Sequence, residues 1–413
     1  MVLEEEIPER TDMDHWREAI HELAAFERPS ASEGERRAAE SIAARLRALG
    51  AQARVEEERA HGGYWWPLSL PNLAAAGAGV LALRRRGKAS RILAGGVSAL
   101  AAAVLWDDMG HGRRWFRRGL MRHRSTWNVV AEMGDPGAQR TVALVAHHDA
   151  ANSGLVFHPS LGQIGPRFFP RLHNRSNQTL PILYGVWLGP VLATVGAALG
   201  LRRLLAAGVA VSLGATAVLM DIGRSAVVPG ANDNLSAVGV VLAVAEALRR
   251  NPLKGVRVLL ISTGSEESFS EGMQAFGERH FGELDPGQTE FLCLECLGGP
   301  NLIVLEAEGM LKMRHYPSAM REALADAAAR AGVPITRGIR TVAATDAIIA
   351  LRAGYPTATL ASVAETKLPL NYHWPSDRPE ALHWEIIEQA IAVCESFLRS
   401  RGETATLKRS EEE

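Results

Sequence analysis

Cysteine is scarce in this sequence, with three among 413 residues. Three thiols cannot build a disulfide scaffold, so a hydrophobic core has to hold the fold. A surplus of positive charge is also missing. Lys plus Arg number 45 against 46 Asp plus Glu, which excludes a global basic field for nucleic acid. The start, Met1–Arg10, is acidic and lacks the basic-then-apolar order of a secretory leader. Internal repeats and long low-complexity tracts are absent. With 47% hydrophobic and 22% charged residues, wholesale disorder is excluded as well. The length suits one large domain or two ordinary ones.

What is present alternates. Glu33–Leu49 carries Ala39, Ile42, Ala43, Leu46 and Leu49 at helical spacing, and Gly50 stops it. Ala51–Glu57 and Val129–Met133 read as strands. Thr141–Ala146 is a continuous apolar run, as a strand buried on both faces should be. Downstream, helices are expected over Asn234–Arg249, Glu271–Phe281, Ser318–Ala331, Ala344–Arg352 and Glu380–Leu398. Strands are expected over Val256–Ser262, Phe291–Leu297, Leu302–Glu306 and Thr357–Ala361. This order indicates an α/β layer fold with a mostly parallel central sheet. The charged tail 403–413 is expected to be disordered.

Four uncharged apolar runs interrupt the pattern: Gly62–Leu83, Ile92–Trp106, Ser176–Leu201 and Leu204–Met220. A bilayer-spanning helix needs about 20 apolar residues. By length the third run is the strongest candidate and the second is short. They pair as hairpins, with Arg84, Arg85, Arg86, Lys88 and Arg91 at one tip and Arg202 and Arg203 at the other. Trp65, Trp66, Trp106 and Tyr184 sit near run ends, where interfacial aromatics belong. Gly77, Gly79, Gly95, Gly96, Gly196 and Gly208 suit close helix packing. An even number of spans per insertion keeps the flanking α/β segments on one side of a lipid bilayer. Arginines lie at both ends of the runs, so the positive-inside rule divides; the free cysteines and the missing leader favour a cytoplasmic catalytic domain.

The chemistry-bearing residues fall at strand ends. Thr141–Ala146 runs into His147-His148-Asp149, and Val256–Ser262 into Gly264-Ser265-Glu266-Glu267. Gly230-Ala231-Asn232-Asp233-Asn234 precedes a helix, Glu295 lies in an apolar strand, and Tyr372-His373 precedes the last helix. Sites in open α/β sheets form beyond the carboxyl ends of strands. Two His and three carboxylates meeting in such a crevice make a divalent metal site, with zinc the best match. A two-metal site needs a bridging carboxylate, a part Asp233 can play. In the doublet Glu266-Glu267, one carboxylate can bind metal while its neighbour faces the water to be activated. Asp149, two residues from His147, can orient its ring. Taken singly, Asp233 reads equally as a helix N-cap, and Glu266-Glu267 as a solvated helix start. A buried Glu295 is harder to dismiss, because an unpaired carboxylate is costly.

Taken together, these segments resemble the co-catalytic zinc aminopeptidases of metallopeptidase clan MH, the M28-like peptidases. Thr345-Asp346 and Gly354-Tyr355-Pro356 add to the likeness. The resemblance implies a phosphorylase/hydrolase-like three-layer αβα domain with two zinc ions. One zinc would take His147 and Glu295, the other Glu267 and His373, with Asp233 bridging. Glu266 would be the general base, and Asp149 would orient His147. A cis peptide is implied at Asp233–Asn234. Glu295 departs from the pattern, since most members have Asp there. The catalytic domain is assigned to residues 12–61, 127–153 and 229–402, with insertions at 62–126 and 154–228. The expected function is a membrane-associated aminopeptidase acting on peptides. The alternatives are a carboxypeptidase-like or single-zinc glutaminyl-cyclase-like enzyme, and a non-catalytic membrane module.

Overall fold

The computed structural model describes residues 14–412 apart from 86 and 180. The expectations for Met1–Arg10 and for Arg86 lie outside the described residues. Eight strands form the main sheet: β1 (Gln52–Ala60), β2 (Arg124–Gly134), β3 (Thr141–His147), β4 (Arg257–Thr263), β5 (Thr289–Glu295), β6 (Asn301–Val304), β7 (Thr336–Arg337) and β8 (Thr357–Val363). Their order across the sheet is β1-β2-β4-β3-β5-β8-β6-β7. The four central strands β4, β3, β5 and β8 run parallel. β2 and β6 pair antiparallel on either side of them, so the sheet is mixed.

The apolar run of β3 has the two-sided burial expected of it. Val142, Leu144 and Ala146 face one core, with helices Glu33–Ala48, Ser236–Arg250 and Trp384–Glu412. Ala143 and Val145 face the other, with Met273, Phe276, Ile348 and Ile349 of the helices opposite. This is a three-layer αβα architecture. Helix Ser236–Arg250 is buried on every side as far as Ala245, because the sheet covers one face and other helices the rest. β5 ends at Glu295, two residues short of the expected Leu297. Cys296 turns left-handed (φ 52°) and gives its N–H to Asn234 Oδ1 at 2.9 Å. Strands 307–308, 314–315 and 340–341 form a second small sheet.

The closing helix runs Trp384–Glu412. One further expectation is corrected: the ranking of apolar runs reverses. The run Ser176–Leu201 yields only the helix Tyr184–Leu199, because its first part is loop that bridges to the small sheet at Gln178–Arg340. The shorter run Ile92–Trp106 lies within a 22-residue helix, Lys88–Met109, which extends past it into charged residues at both ends.

By length and composition, Trp65–Arg85, Lys88–Met109 and Arg202–Ile222 can each cross a membrane. Ala231–Arg250 also passes that test, but it is 89% buried within the chain, against 28–50% for the other three. It is core. The two hairpins pack into one four-helix unit. Small residues decide its closest approaches. A Cβ at Gly208 would lie 2.3 Å from Ala193 N, one at Gly196 2.3 Å from Leu205 N, and one at Gly79 2.4 Å from Val209. Gly77 and Gly96 face open space, and Gly95 makes only ordinary contact with Ala197, so these three do not mark tight packing. Large apolar side chains, including Trp66, Ile92, Leu100, Leu199 and Leu213, remain exposed around the unit.

Candidate active site

Strand register brings the site together. His147 at the end of β3 stands opposite Thr263 of β4, whose chain then turns through Glu266 and Glu267. Val145 stands opposite Cys293 of β5, which sets Glu295 level with His147. The segment before helix Ser236–Arg250 supplies Asp233, and the loop after β8 supplies His373. All seven residues singled out in the sequence therefore gather at the carboxyl ends of the parallel strands.

Asp233 occupies the middle. Its Oδ1 lies 3.2 Å from His147 Nε2, and its Oδ2 lies 3.3 Å from His373 Nε2. The carboxylate thus faces an imidazole on each side rather than capping a helix. Glu295 Oε1 is 3.6 Å from His147 Nε2, and Glu267 Oε2 is 3.3 Å from His373 Nε2. His147, Asp233 and Glu295 form one trio of closely spaced donors, and Asp233, Glu267 and His373 form another. Glu266 Oε2 lies 3.9 Å from His147 Nε2, and His147, Glu266 and Glu267 make a third group of closely spaced donors, one that leaves out Asp233. The longer arm of Glu295 is steadied by Cys296 Sγ at 3.2 Å and Asn234 Nδ2 at 3.4 Å.

Asp149 contacts more than His147. Its carboxylate accepts the backbone N–H of Glu266 at 3.0 Å and of Glu267 at 3.1 Å, and the hydroxyl of Ser30 at 2.6 Å. His147 Nδ1 lies 3.4 Å from Asp149 Oδ1 and nearer, 3.2 Å, to the Asp149 carbonyl. One side chain therefore ties the imidazole of β3 to the acidic turn after β4.

Three positioning residues escaped the sequence reading. Arg28, fully buried, donates to the carbonyls of His148 (2.8 Å), Gly230 (2.8 Å) and Pro229, and so clamps the His147 and Asp233 segments together. Asp377 accepts Asn232 N at 2.7 Å and Asp233 N at 3.1 Å. Asn234 reaches Leu294 O at 2.9 Å. Asp377 follows His373 by four residues and Asn234 adjoins Asp233, but nothing in the sequence distinguished a backbone-binding role. The peptide Asp233–Asn234 is cis.

The electrostatics call for added positive charge. Burial disfavours the charged form of His147, yet Asp149, Asp233 and Glu295 outweigh it and drive its pKa well up. Burial likewise opposes a charged His373, but Glu267 and Asp233 raise it to about 10. Burial pushes Glu266 well above the ordinary carboxylate range, with Glu267 adding to the effect. His147 Nε2, Glu267 Oε1 and His373 Nδ1 are buried without a hydrogen-bond partner. Crowded carboxylates, imidazoles drawn toward protonation and unpartnered donor atoms together fit zinc, which takes N and O donors.

A cavity of about 150 Å³ opens beside these groups. Ile303, Leu305, Ile339, Val342 and Val363 make an apolar wall. Both insertions contribute to it: Tyr64 precedes helix Trp65–Arg85, while Phe157, Ile182 and Leu183 precede helix Tyr184–Leu199. Phe157 also packs its ring on His373 at 4.5 Å.

Known proteins share a segment of this sequence and its fold. Residues 215–398 match the model of peptidase family M28. Among curated proteins, none matches the sequence. The fold is similar to a zinc aminopeptidase from Bacillus subtilis, at 13% identity over 94% of each chain with a TM-score of 0.54. It is similar to a Zn-dependent exopeptidase from Parabacteroides distasonis, at 13% identity over 93% of this chain and 96% of that one, TM-score 0.54. Glutaminyl cyclase from Porphyromonas gingivalis matches at 12% identity over 94% of this chain and 97% of that one, TM-score 0.52. A segment of the chain thus matches peptidase family M28, and the chain as a whole shares its fold with these zinc-dependent enzymes.

Proposed function

We propose that this protein is a membrane-associated aminopeptidase that works with two zinc ions. His147 and Glu295 would hold one, Glu267 and His373 the other, and Asp233 would be shared. The observation that carries this reading is the central placement of Asp233, with one oxygen toward each imidazole. Three side chains per ion leave a coordination position free, the habit of catalytic rather than structural zinc. When bound, the zinc pair polarises the substrate carbonyl and makes water acidic enough to give up a proton near neutral pH.

The chain's own residues do the rest. Glu266 accepts the proton of the attacking water on its carboxylate and returns it to the departing amine. Asp149 keeps Glu266 in reach by binding its N–H. The cavity lining supports cleavage from the amino end. Lys367, the one described Lys or Arg in that lining, already donates to the carbonyls of His173 and Ser176, so a peptide carboxylate finds no free basic side chain there. The exposed apolar belt of the four-helix unit supports lipid contact. The three buried free cysteines support a catalytic domain on the cytoplasmic side.

The test combines metal content with a panel of free and blocked peptides. Two zinc equivalents and cleavage from free amino ends are expected. One equivalent with cyclisation of amino-terminal Gln would instead favour the glutaminyl-cyclase-like reading, to which the Porphyromonas likeness lends weight. Release of carboxyl-terminal residues would reverse the direction. Vesicle flotation tests lipid association, and thiol labelling of an exposed engineered cysteine from either side tests orientation.

A further inference from the structure

The turn that carries Glu266 and Glu267 is not held by the catalytic domain alone. Between β4 and helix Glu271–His280 it runs through three non-glycine residues in the left-handed region: Ser265 (φ 50°), Phe269 (φ 69°) and Ser270 (φ 56°). Such a backbone persists only where its surroundings over-determine it. On the inner side, Asp149 takes the N–H groups of Glu266 and Glu267. The outer side is held by the first insertion. Arg117 Nη1 donates to Ser268 O at 2.7 Å, and Arg114 donates to Phe269 O.

Arg117 is itself fixed. Arg117 forks onto Asp108 with bonds of 2.9 and 2.6 Å and lies 3.5 Å from Glu271. Asp108 belongs to the last turn of helix Lys88–Met109. Glu271 accepts from Ser268 Oγ at 2.6 Å and from His61 N at 2.9 Å, where β1 hands over to the insertion. Tyr64 stacks on Phe269, with ring centres 4.7 Å apart and planes within 7°. Arg114, Arg117 and Asp108 are all buried, and none lines the cavity. Both ends of the first insertion thus converge on one backbone turn.

We propose that Arg114 and Arg117 of the first insertion are positioning residues, which hold the Glu266–Glu267 turn in its working conformation and make the first hairpin a structural part of the active site. The proposal rests on the peptidase reading for its rate arm and stands independently of it for its backbone arm. A bidentate arginine between two carboxylates is rigid and directional, and a lysine cannot reproduce it. Replacing Arg117 and Asp108 together by apolar residues of similar size preserves packing, and Glu271 keeps its bonds from Ser268 Oγ and from His61 N and its contact with His61 Nδ1, so stability and positioning separate.

The test uses full-length protein in lipid nanodiscs with zinc. The double variant Arg117→Met/Asp108→Leu is compared with wild type for melting temperature, hydrogen exchange of the segment 266–270, kcat and KM. A melting point within a few degrees, exchange at least tenfold faster, kcat at least tenfold lower and KM within about twofold are expected. Unchanged exchange, or a kcat that falls only in step with melting temperature, overturns the proposal. Should the double variant not fold, Arg114→Lys decides on the same readouts: its shorter reach to Phe269 O should speed exchange, and wild-type exchange would overturn the proposal. Absence of peptidase activity in the wild type would refute the functional reading alone, because exchange still reports the turn.

Discussion

Glu266→Gln is the sharpest perturbation of the proposed chemistry. The substitution keeps shape and removes only the ability to take a proton. The backbone of the turn stays anchored, because Asp149 binds the main-chain N–H groups and not the Glu266 side chain. Glu266 Oε2 lies 3.9 Å from His147 Nε2, whereas Asp233 lies 3.2 Å and Glu295 3.6 Å away, so the two trios that share Asp233, which the proposal assigns to zinc, keep every member. Zinc content should therefore match wild type. A general base contributes about 10²- to 10⁴-fold, or roughly 2.7–5.4 kcal/mol of barrier at about 1.36 kcal/mol per decade. The assay is steady-state hydrolysis of an aminoacyl chromogenic amide alongside elemental analysis of the same sample. A kcat within about threefold of wild type with zinc retained would remove Glu266 from the role. Loss of zinc would make it a ligand instead.

Other outcomes follow from features away from the reacting centre. Burial raises the Glu308 carboxyl to about 7, and Oε1 has no partner while Oε2 accepts Thr345 N and Oγ1. The folded state binds this proton more tightly than the unfolded one, so the contribution is full below about pH 4.5 and is lost as pH rises through about 7. It is on the order of 3 kcal/mol. Glu308→Gln should flatten the fall in melting temperature between pH 5 and 8; an unchanged slope would contradict it. Gly230 has φ 60°, and a Cβ there would lie 2.6 Å from Asp233 O and 2.7 Å from Arg28 Nη2. Gly230→Ala should cost about 1–3 kcal/mol and weaken zinc retention, seen by thermal shift and chelator competition. Gly208→Val forces a side chain into the Ala193 backbone and should lower the yield of folded, detergent-solubilised protein; wild-type yield and melting would refute the close packing.

Much of the layer architecture was legible because parallel strands are buried on both faces and so appear as unbroken apolar runs. Thr141–Ala146 and Val256–Ser262 lie within a residue of β3 and β4. The acidic and imidazole residues were legible for the converse reason: charge directly after such a run needs a use. The clamps were not. Arg28 and Asp377 act on backbone groups, an interaction that any polar residue in any loop can make, so sequence carries no pattern for it. Run length alone also misjudged Ser176–Leu201. Uncharged composition does not distinguish loop from helix, and Gln178 is drawn into a bridge with Arg340, a residue far along the chain. Segments of two residues, such as 307–308 and 340–341, are too short to show any period.

The way the hairpins interleave limits how this protein can be dissected. Helix Trp65–Arg85 packs against Arg202–Ile222, and Lys88–Met109 against Tyr184–Leu199, so each insertion completes the other's interior. Trimming a single loop to obtain a crystallisable fragment would open the seam between the hairpins, leaving Gly79 facing solvent in one case and Leu205 and Val209 in the other. A water-soluble derivative would have to be built by excising both at once and resealing two gaps beside the cavity mouth.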